Sequence, residues 1–228
     1  MNAIQILNVG RDLKFENLIS KFVYQTHQPL ASTRYTFNDE IRFPIQQNDV
    51  YTLPSRSFLQ IRGKLTKGNA SNARFVRNGI AFLFDHISYN LNNVEVDKTR
   101  NLGSATLLKG LVSYTKDEYD YSTNSGFSSL TTDDILDANG EFSVCIPLRD
   151  WLGFFEDYDK IIISMKQELI LQRAGDDRNA LFSATAADTS KVTIESSSWL
   201  MPYITVSDAV RIALLTHVEK NKLIQVPF

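Results

Sequence analysis

Ile87-Ser-Tyr-Asn-Leu-Asn-Asn-Val-Glu-Val-Asp-Lys98 alternates apolar and polar residues on both sides of an Asn-Asn pair. Asparagine tolerates positive φ, so two asparagines between alternating runs predict a tight hairpin. With Leu91 opposite Val94, Tyr89 falls opposite Val96, and these four side chains share one face. Ser88, Asn90, Glu95 and Asp97 share the other, which is expected to meet solvent or a partner. Directly after the hairpin the period changes. Leu102, Ala105, Leu108, Leu111 and Val112 recur at helical spacing, with Ser104 available as a cap.

Upstream, residues 82–91 form the first arm of that hairpin and 94–98 the second. Residues 57–67 predict another strand, with Leu59, Ile61, Gly63 and Leu65 on one face and Gln60, Arg62, Lys64 and Thr66 on the other. Residues 36–45 predict the strand before it: Ile41, Phe43 and Ile45 alternate, and Pro44 marks an edge or a strand end. In residues 11–23, Phe15, Leu18, Ile19, Phe22 and Val23 fall at helical spacing. An amphipathic helical arm is expected there, either capping its own domain or docking on a neighbouring subunit.

Downstream, residues 115–140 are polar and acidic, and an excursion of this length is functional or mobile as a rule. Phe142, Val144, Ile146 and Leu148 then resume strict alternation. Trp151, Phe154, Phe155 and Tyr158 suggest a short helical turn. Further strands fit 161–173, 191–197 and 200–206. Ser207 is placed to cap a helix carrying Val210, Leu214, Leu215 and Val218, and Leu223 to Phe228 reads as the start of another strand.

Eight strands, few helices and long loops predict an all-β fold, an eight-stranded antiparallel jelly-roll sandwich with a few short helices. The expected division is an N-terminal arm at 1–35, the jelly roll at 36–206, and at 207–228 a helix leading into a possible second jelly roll. One detail resists. A jelly roll sends its third strand to its fourth across the sandwich, whereas the Asn92-Asn93 link pairs them within one sheet. The run at 94–98 is then an extra ribbon, and the true fourth strand lies within 115–130.

The composition is that of an ordinary folded chain: 43% hydrophobic and 22% charged over 228 residues. Formal net charge is −2, so direct nucleic-acid binding is not expected. No apolar run approaches the roughly 18–20 residues of a transmembrane helix. The N-terminus shows no basic segment before an apolar one, so secretion is not expected. Cys145 is the only cysteine, which excludes an intrachain disulfide. Asn69-Ala70-Ser71 is a formal glycosylation sequon and reads as chance without a secretion signal.

Catalytic chemistry finds no support. His27, His86 and His217 have no metal-ligand spacing partners. The stretch around Asp137-Ala138-Asn139-Gly140 fails as a calcium loop, because its first and last positions would be Ile135 and Ile146. No phosphate-cradling glycine loop and no nucleophile elbow occurs. Cys145 sits mid-strand beside Val144 and Ile146, as a structural thiol does. Asp117-Glu118 and Asp133-Asp134 are solvated loop charges before they are a carboxylate pair. No enzyme activity, cofactor or metal is expected.

The stretch from Ile87 to Lys98 with its following helix, and Val144-Cys-Ile-Pro-Leu148 followed by Ile161 to Leu171, together resemble the first jelly roll of double jelly-roll major capsid proteins. That family occurs in eukaryotic DNA viruses, virophages and Polinton-like elements, and the resemblance extends to the double jelly-roll-like proteins of arthropod genomes and viruses. Asp39-Glu-Ile-Arg-Phe-Pro44 and Asp49-Val-Tyr-Thr-Leu-Pro54 strengthen the resemblance. Two departures stand out. Asn92-Asn93 replaces the Gly-Gly turn of relatives from large viruses, and the chain ends at Phe228 where a member would continue into a second jelly roll. The end reads as a domain of a longer frame or a shortened relative.

The resemblance implies a structural protein of the virion capsid, self-associating as trimers and meeting other capsid proteins, with synthesis in the host cytoplasm or nucleus. The alternative is a carbohydrate- or partner-binding jelly roll using Tyr114, Tyr119, Tyr121 and Phe127. A cupin-type enzyme comes third and lacks a histidine cluster. Charge is segregated. Arg56 to Arg77 holds six basic residues and no acidic one, whereas Thr115 to Glu141 holds seven acidic residues and one lysine. Arg62 and Lys64 project together, so Asp117, Glu118, Asp133 and Asp134 are candidates to meet them, within the chain or between copies.

Overall fold

The structure is a computed structural model that describes residues 18–30, 35–47, 50–69, 72–115, 117–118, 122–127, 135–183 and 189–219. In chain order the strands are β1 (Ile19–His27), β2 (Glu40–Ile45), β3 (Tyr51–Thr52), β4 (Phe58–Thr66), β5 (Arg74–Phe75), β6 (Phe84–Leu91), β7 (Val94–Arg100), β8 (Glu141–Pro147), β9 (Ile162–Ile163), β10 (Gln167–Arg173), β11 (Leu181–Phe182) and β12 (Lys191–Val206). The helices are α1 (Gly79–Phe82), α2 (Leu102–Ser113), α3 (Gly153–Asp157) and α4 (Asp208–Glu219).

One sheet runs β8-β4-β12-β3-β9, with β1 also on β12; the facing sheet runs β2-β10-β6-β7; β11 and β5 form a small pair. Trp199 and Leu200 pair with β1 on one side and β4 on the other, so β1 and β4 flank opposite edges of β12. Among the described residues, eight strands have six residues or more. Numbered among themselves, they run first-eighth-third-sixth in one sheet and second-seventh-fourth-fifth in the other, which is jelly-roll order. The Asn-Asn hairpin therefore joins the fourth and fifth long strands, which are sheet neighbours. No extra ribbon is needed, and no described residue of 115–130 is in a strand.

The resolving element is β1. A helix was expected over 11–23, but Ile19–His27 is a strand antiparallel to the C-terminal half of β12. The β-branched and aromatic run Phe22-Val23-Tyr24 suits a strand, and pairing with β12 overrides the helical spacing. Phe15 lies outside the described residues, as do residues 220–228 and hence the strand expected from Leu223. The strands expected at 191–197 and 200–206 are one, β12, with a register shift between Ile194 and Ser196. The strand expected over 161–173 is broken by Ser164, at φ 48°.

The hairpin forms as expected, with Asn92 and Asn93 at φ 49° and 66°. Its register slips, however. Leu91 meets Val94 and Asn90 meets Glu95, but Tyr89 meets Asp97, leaving Val96 as the extra residue of a bulge. The slip turns Asp97 toward α3, where its carboxylate accepts the Phe154 N–H at 2.9 Å. Helix α2 also departs from expectation. It starts after Asn101 rather than Ser104, and Leu108, Leu111 and Val112 face outward. Its inner face is Leu102, Gly103, Thr106 and Gly110 instead. A Cβ on Gly103 would sit 2.3 Å from the Phe82 ring and one on Gly110 2.5 Å from Phe127, so close approach through glycine replaces the leucine stripe.

The core lies between the sheets. Tyr89 stacks on Phe154 at 5.6 Å and meets Phe155 edge-on at 4.7 Å and Trp199 at 6.3 Å. Its hydroxyl donates to Gln167 Oε1 at 2.8 Å, and Gln167 Nε2 donates to Thr52 Oγ1 at 2.7 Å, all buried. This chain of bonds joins the two sheets. Tyr89→Phe leaves the Gln167 acceptor buried without its donor, so a loss of about 1–2 kcal/mol is expected in urea unfolding. An unchanged midpoint would show that the bonds carry no stability.

Candidate assembly surfaces

Arg62 and Lys64 lie on the outward face of β4, as their alternation with Ile61, Gly63 and Leu65 requires. Lys64 faces Glu141 of β8, with Nζ 3.6 Å from Oε1. Both side chains are about half exposed, so water screens the pair and its contribution is below about 1 kcal/mol. Arg62 lies between Ser143 and Ser196 and makes no ion pair among the described residues. Asp117 and Glu118 are exposed and follow α2. Glu118 accepts from the Thr115 N–H and Oγ1, each at 2.9 Å, and these bonds hold its carboxyl below the usual range. Asp133 and Asp134 lie outside the described residues. Within the chain, then, the acid beside Lys64 is Glu141.

The sequence reading missed the surface built on β1. Of the nine residues of β1 all but His27 are exposed. One edge pairs with β12, and the other has no strand partner among the described residues. Just ahead of the strand is Leu18, and with Ile19, Phe22, Val23 and Tyr24 it is 41–55% exposed. Lys21 is the only Lys, Arg, Asp or Glu in the strand. Natural edges are normally shortened, charged or covered, whereas this one is nine residues long, holds a single lysine and, among the described residues, has no strand on its open side. Helix α4 springs from the same corner: the Ser207 N–H donates to the Leu18 carbonyl at 3.0 Å, and Ile212 and Leu215 are exposed along the helix. At its far end β1 is pinned by His27, whose Nε2 lies 3.1 Å from the Tyr203 hydroxyl; burial lowers the imidazole pKa. The signal in the sequence was the β-branched and aromatic run of residues 22–24.

The residues suggested for sugar binding divide. Phe127 is buried and packs edge-on against Tyr114 at 5.2 Å, so neither offers an open ring face to a sugar. Tyr119 and Tyr121 lie outside the described residues. Among the described residues no group of three His, Cys, Asp or Glu is placed to hold a metal, and no helix is long and apolar enough to cross a membrane.

Comparison with solved structures agrees with the strand order. The major capsid protein of Faustovirus superposes with a TM-score of 0.60 at 11% identity, over 93% of this chain and 58% of that one. The major capsid protein of mavirus gives 0.54 at 14% identity, over 87% and 49%. The Sputnik virophage structure gives 0.55 at 8% identity, over 91% and 52%. The chain spans about half the length of these structures. At such identities the likeness is one of fold. No curated protein matches the sequence. The model of the double jelly roll-like domain matches residues 73–228, more than half of the chain. On that match and on its strand order, the chain belongs to the double jelly roll-like domain family.

Proposed function

We propose that the chain is a non-enzymatic structural protein, one jelly roll of a unit that self-associates into a capsid or shell. In this reading the jelly roll runs from β1 through β12, and residues 207–228 lead onward. Copies meet one another, as trimers on the family pattern, and meet other capsid proteins in the virion. The observation that carries the reading is the apolar corner of β1 and α4, exposed among the described residues on a fold shared with named major capsid proteins. Apolar surface of this kind marks a contact between proteins.

Charge would set the register of those contacts. The proposal places acidic residues of one copy, Asp117 and Glu118 with Asp133 and Asp134, against Arg62 and Lys64 of the next. Arg62 has the larger part, because Lys64 already faces Glu141. Such contacts steer association and are screened by salt. Sedimentation velocity over a concentration series tests both statements. Concentration-dependent oligomers are expected, weaker at high salt and weaker again when Arg62 and Lys64 are both changed to Glu. A monomer at every concentration contradicts the assembly reading. An oligomer indifferent to the double reversal contradicts only the charge contact.

A further inference from the structure

A cleft of about 640 Å³ opens on the outward face of the larger sheet. Phe58, Cys145 and Pro147 floor it, Tyr24 of β1 closes one side, and Tyr114 and Glu118 beyond α2 close the other. Arg56 and Arg149 also line it. Its volume falls in the range of natural ligand sites, between about 300 and 1,000 Å³.

The charges in the cleft are unequally committed. Glu118 is held by two hydrogen bonds from Thr115. Asp150 is mostly buried with Tyr114 and Arg149 beside it, and burial raises its carboxyl above the usual range. Asp150 is thus withdrawn from the cleft, and one Glu118 oxygen is taken from within. Arg149 reaches Asp150 only at 4.0 Å, and Arg56 makes no ion pair among the described residues. The uncommitted charge is positive, and it stands beside an aromatic floor.

We propose that this cleft binds an acidic peptide segment of a partner protein, with an apolar or aromatic side chain next to its carboxylates. The guanidinium forks of Arg56 and Arg149 match carboxylates, and Phe58, Tyr24 and Pro147 take the apolar side chain. A sugar fits less well. The Tyr24 ring is flanked by Phe22 at 5.6 Å and Phe58 at 5.8 Å, and the Tyr114 ring packs on Phe127 at 5.2 Å, so a flat open platform is missing. A bare phosphate would leave the aromatic floor unused. The cleft shares Tyr24 with the exposed face of β1, so binding is measured on dilute protein, before copies associate.

Cys145, the only cysteine, reports occupancy of the floor. The probe is a fluorescent Glu-Phe-Asp-Leu-Glu peptide, with Lys-Phe-Lys-Leu-Lys and maltoheptaose as competitors of other classes. The acidic peptide is expected to bind saturably and to slow maleimide modification of Cys145. Changing Arg56 and Arg149 together to Glu should weaken binding about tenfold or more, and to Gln by a smaller factor. Both arginines are exposed, so the variants should keep the wild-type thermal midpoint. No saturable binding, binding unchanged by the Glu pair, or equal binding of the basic peptide or the sugar would overturn the proposal.

Discussion

Asp177→Ala is expected to destabilise the domain by about 3–5 kcal/mol, the scale of breaking one partner of a buried ion pair. Arg173 and Asp177 are 1% and 5% exposed and form a salt bridge. The Arg173 guanidinium also donates to the Leu83 carbonyl at 2.6 Å and lies over the Phe37 ring at 5.2 Å. The second Asp177 oxygen accepts the Val192 N–H at 2.9 Å. This clasp ties the end of β10 to the start of β12 and to the residue before β6. Removing the carboxylate leaves a guanidinium buried without its counter-charge. Replacing Arg173 by Met and Asp177 by Leu together should cost less than the sum of the single changes, because no lone charge remains. Urea unfolding measures all three variants. A loss under about 1 kcal/mol for Asp177→Ala would mean that water reaches the site.

Phe22→Glu with Val23→Lys should weaken self-association by on the order of 100-fold, or about 2.7 kcal/mol, because charges must be stripped of water at the centre of an apolar contact. The same pair should change the stability of the isolated domain by less than about 1 kcal/mol, since both side chains are about 40% exposed. The contrast separates a contact between copies from a contact within the chain. A matching pair of charges at Leu111 and Val112, exposed on α2, serves as the control. Equal loss of association from both pairs would spread the interface beyond β1.

The jelly roll was legible wherever one face of a strand is buried and the other is not. Strand β4 alternates as read, and β2 buries Ile41, Phe43 and Ile45 and lies at a sheet edge, as Pro44 indicates. Strand β1 was not legible, because an edge strand exposed on both faces has no alternation to read. Its omission shifted the numbering of every later strand and made the Asn-Asn hairpin look misplaced. Helix α1 was not read, and the strand expected at 82–91 took in its last residue, Phe82, because Ile80-Ala81-Phe82 continues an apolar run into β6. The bulge at Val96 answers to a hydrogen bond from α3, nearly sixty residues away in sequence. The outward direction of Arg62 and Lys64 was legible from alternation, whereas the Glu141 partner depends on the pairing of β4 with β8.

Hydrogen–deuterium exchange over Ile19–His27, in dilute and in associating protein, tests the assembly reading most directly. Among the described residues, the N–H groups on the open edge of β1 have no strand partner. If copies meet through the corner of β1 and α4, those amides are buried or paired on association, and exchange across β1 should slow by about tenfold or more while β6 and β10 stay unchanged. An oligomer in which β1 exchanges as fast as in the monomer would contradict it.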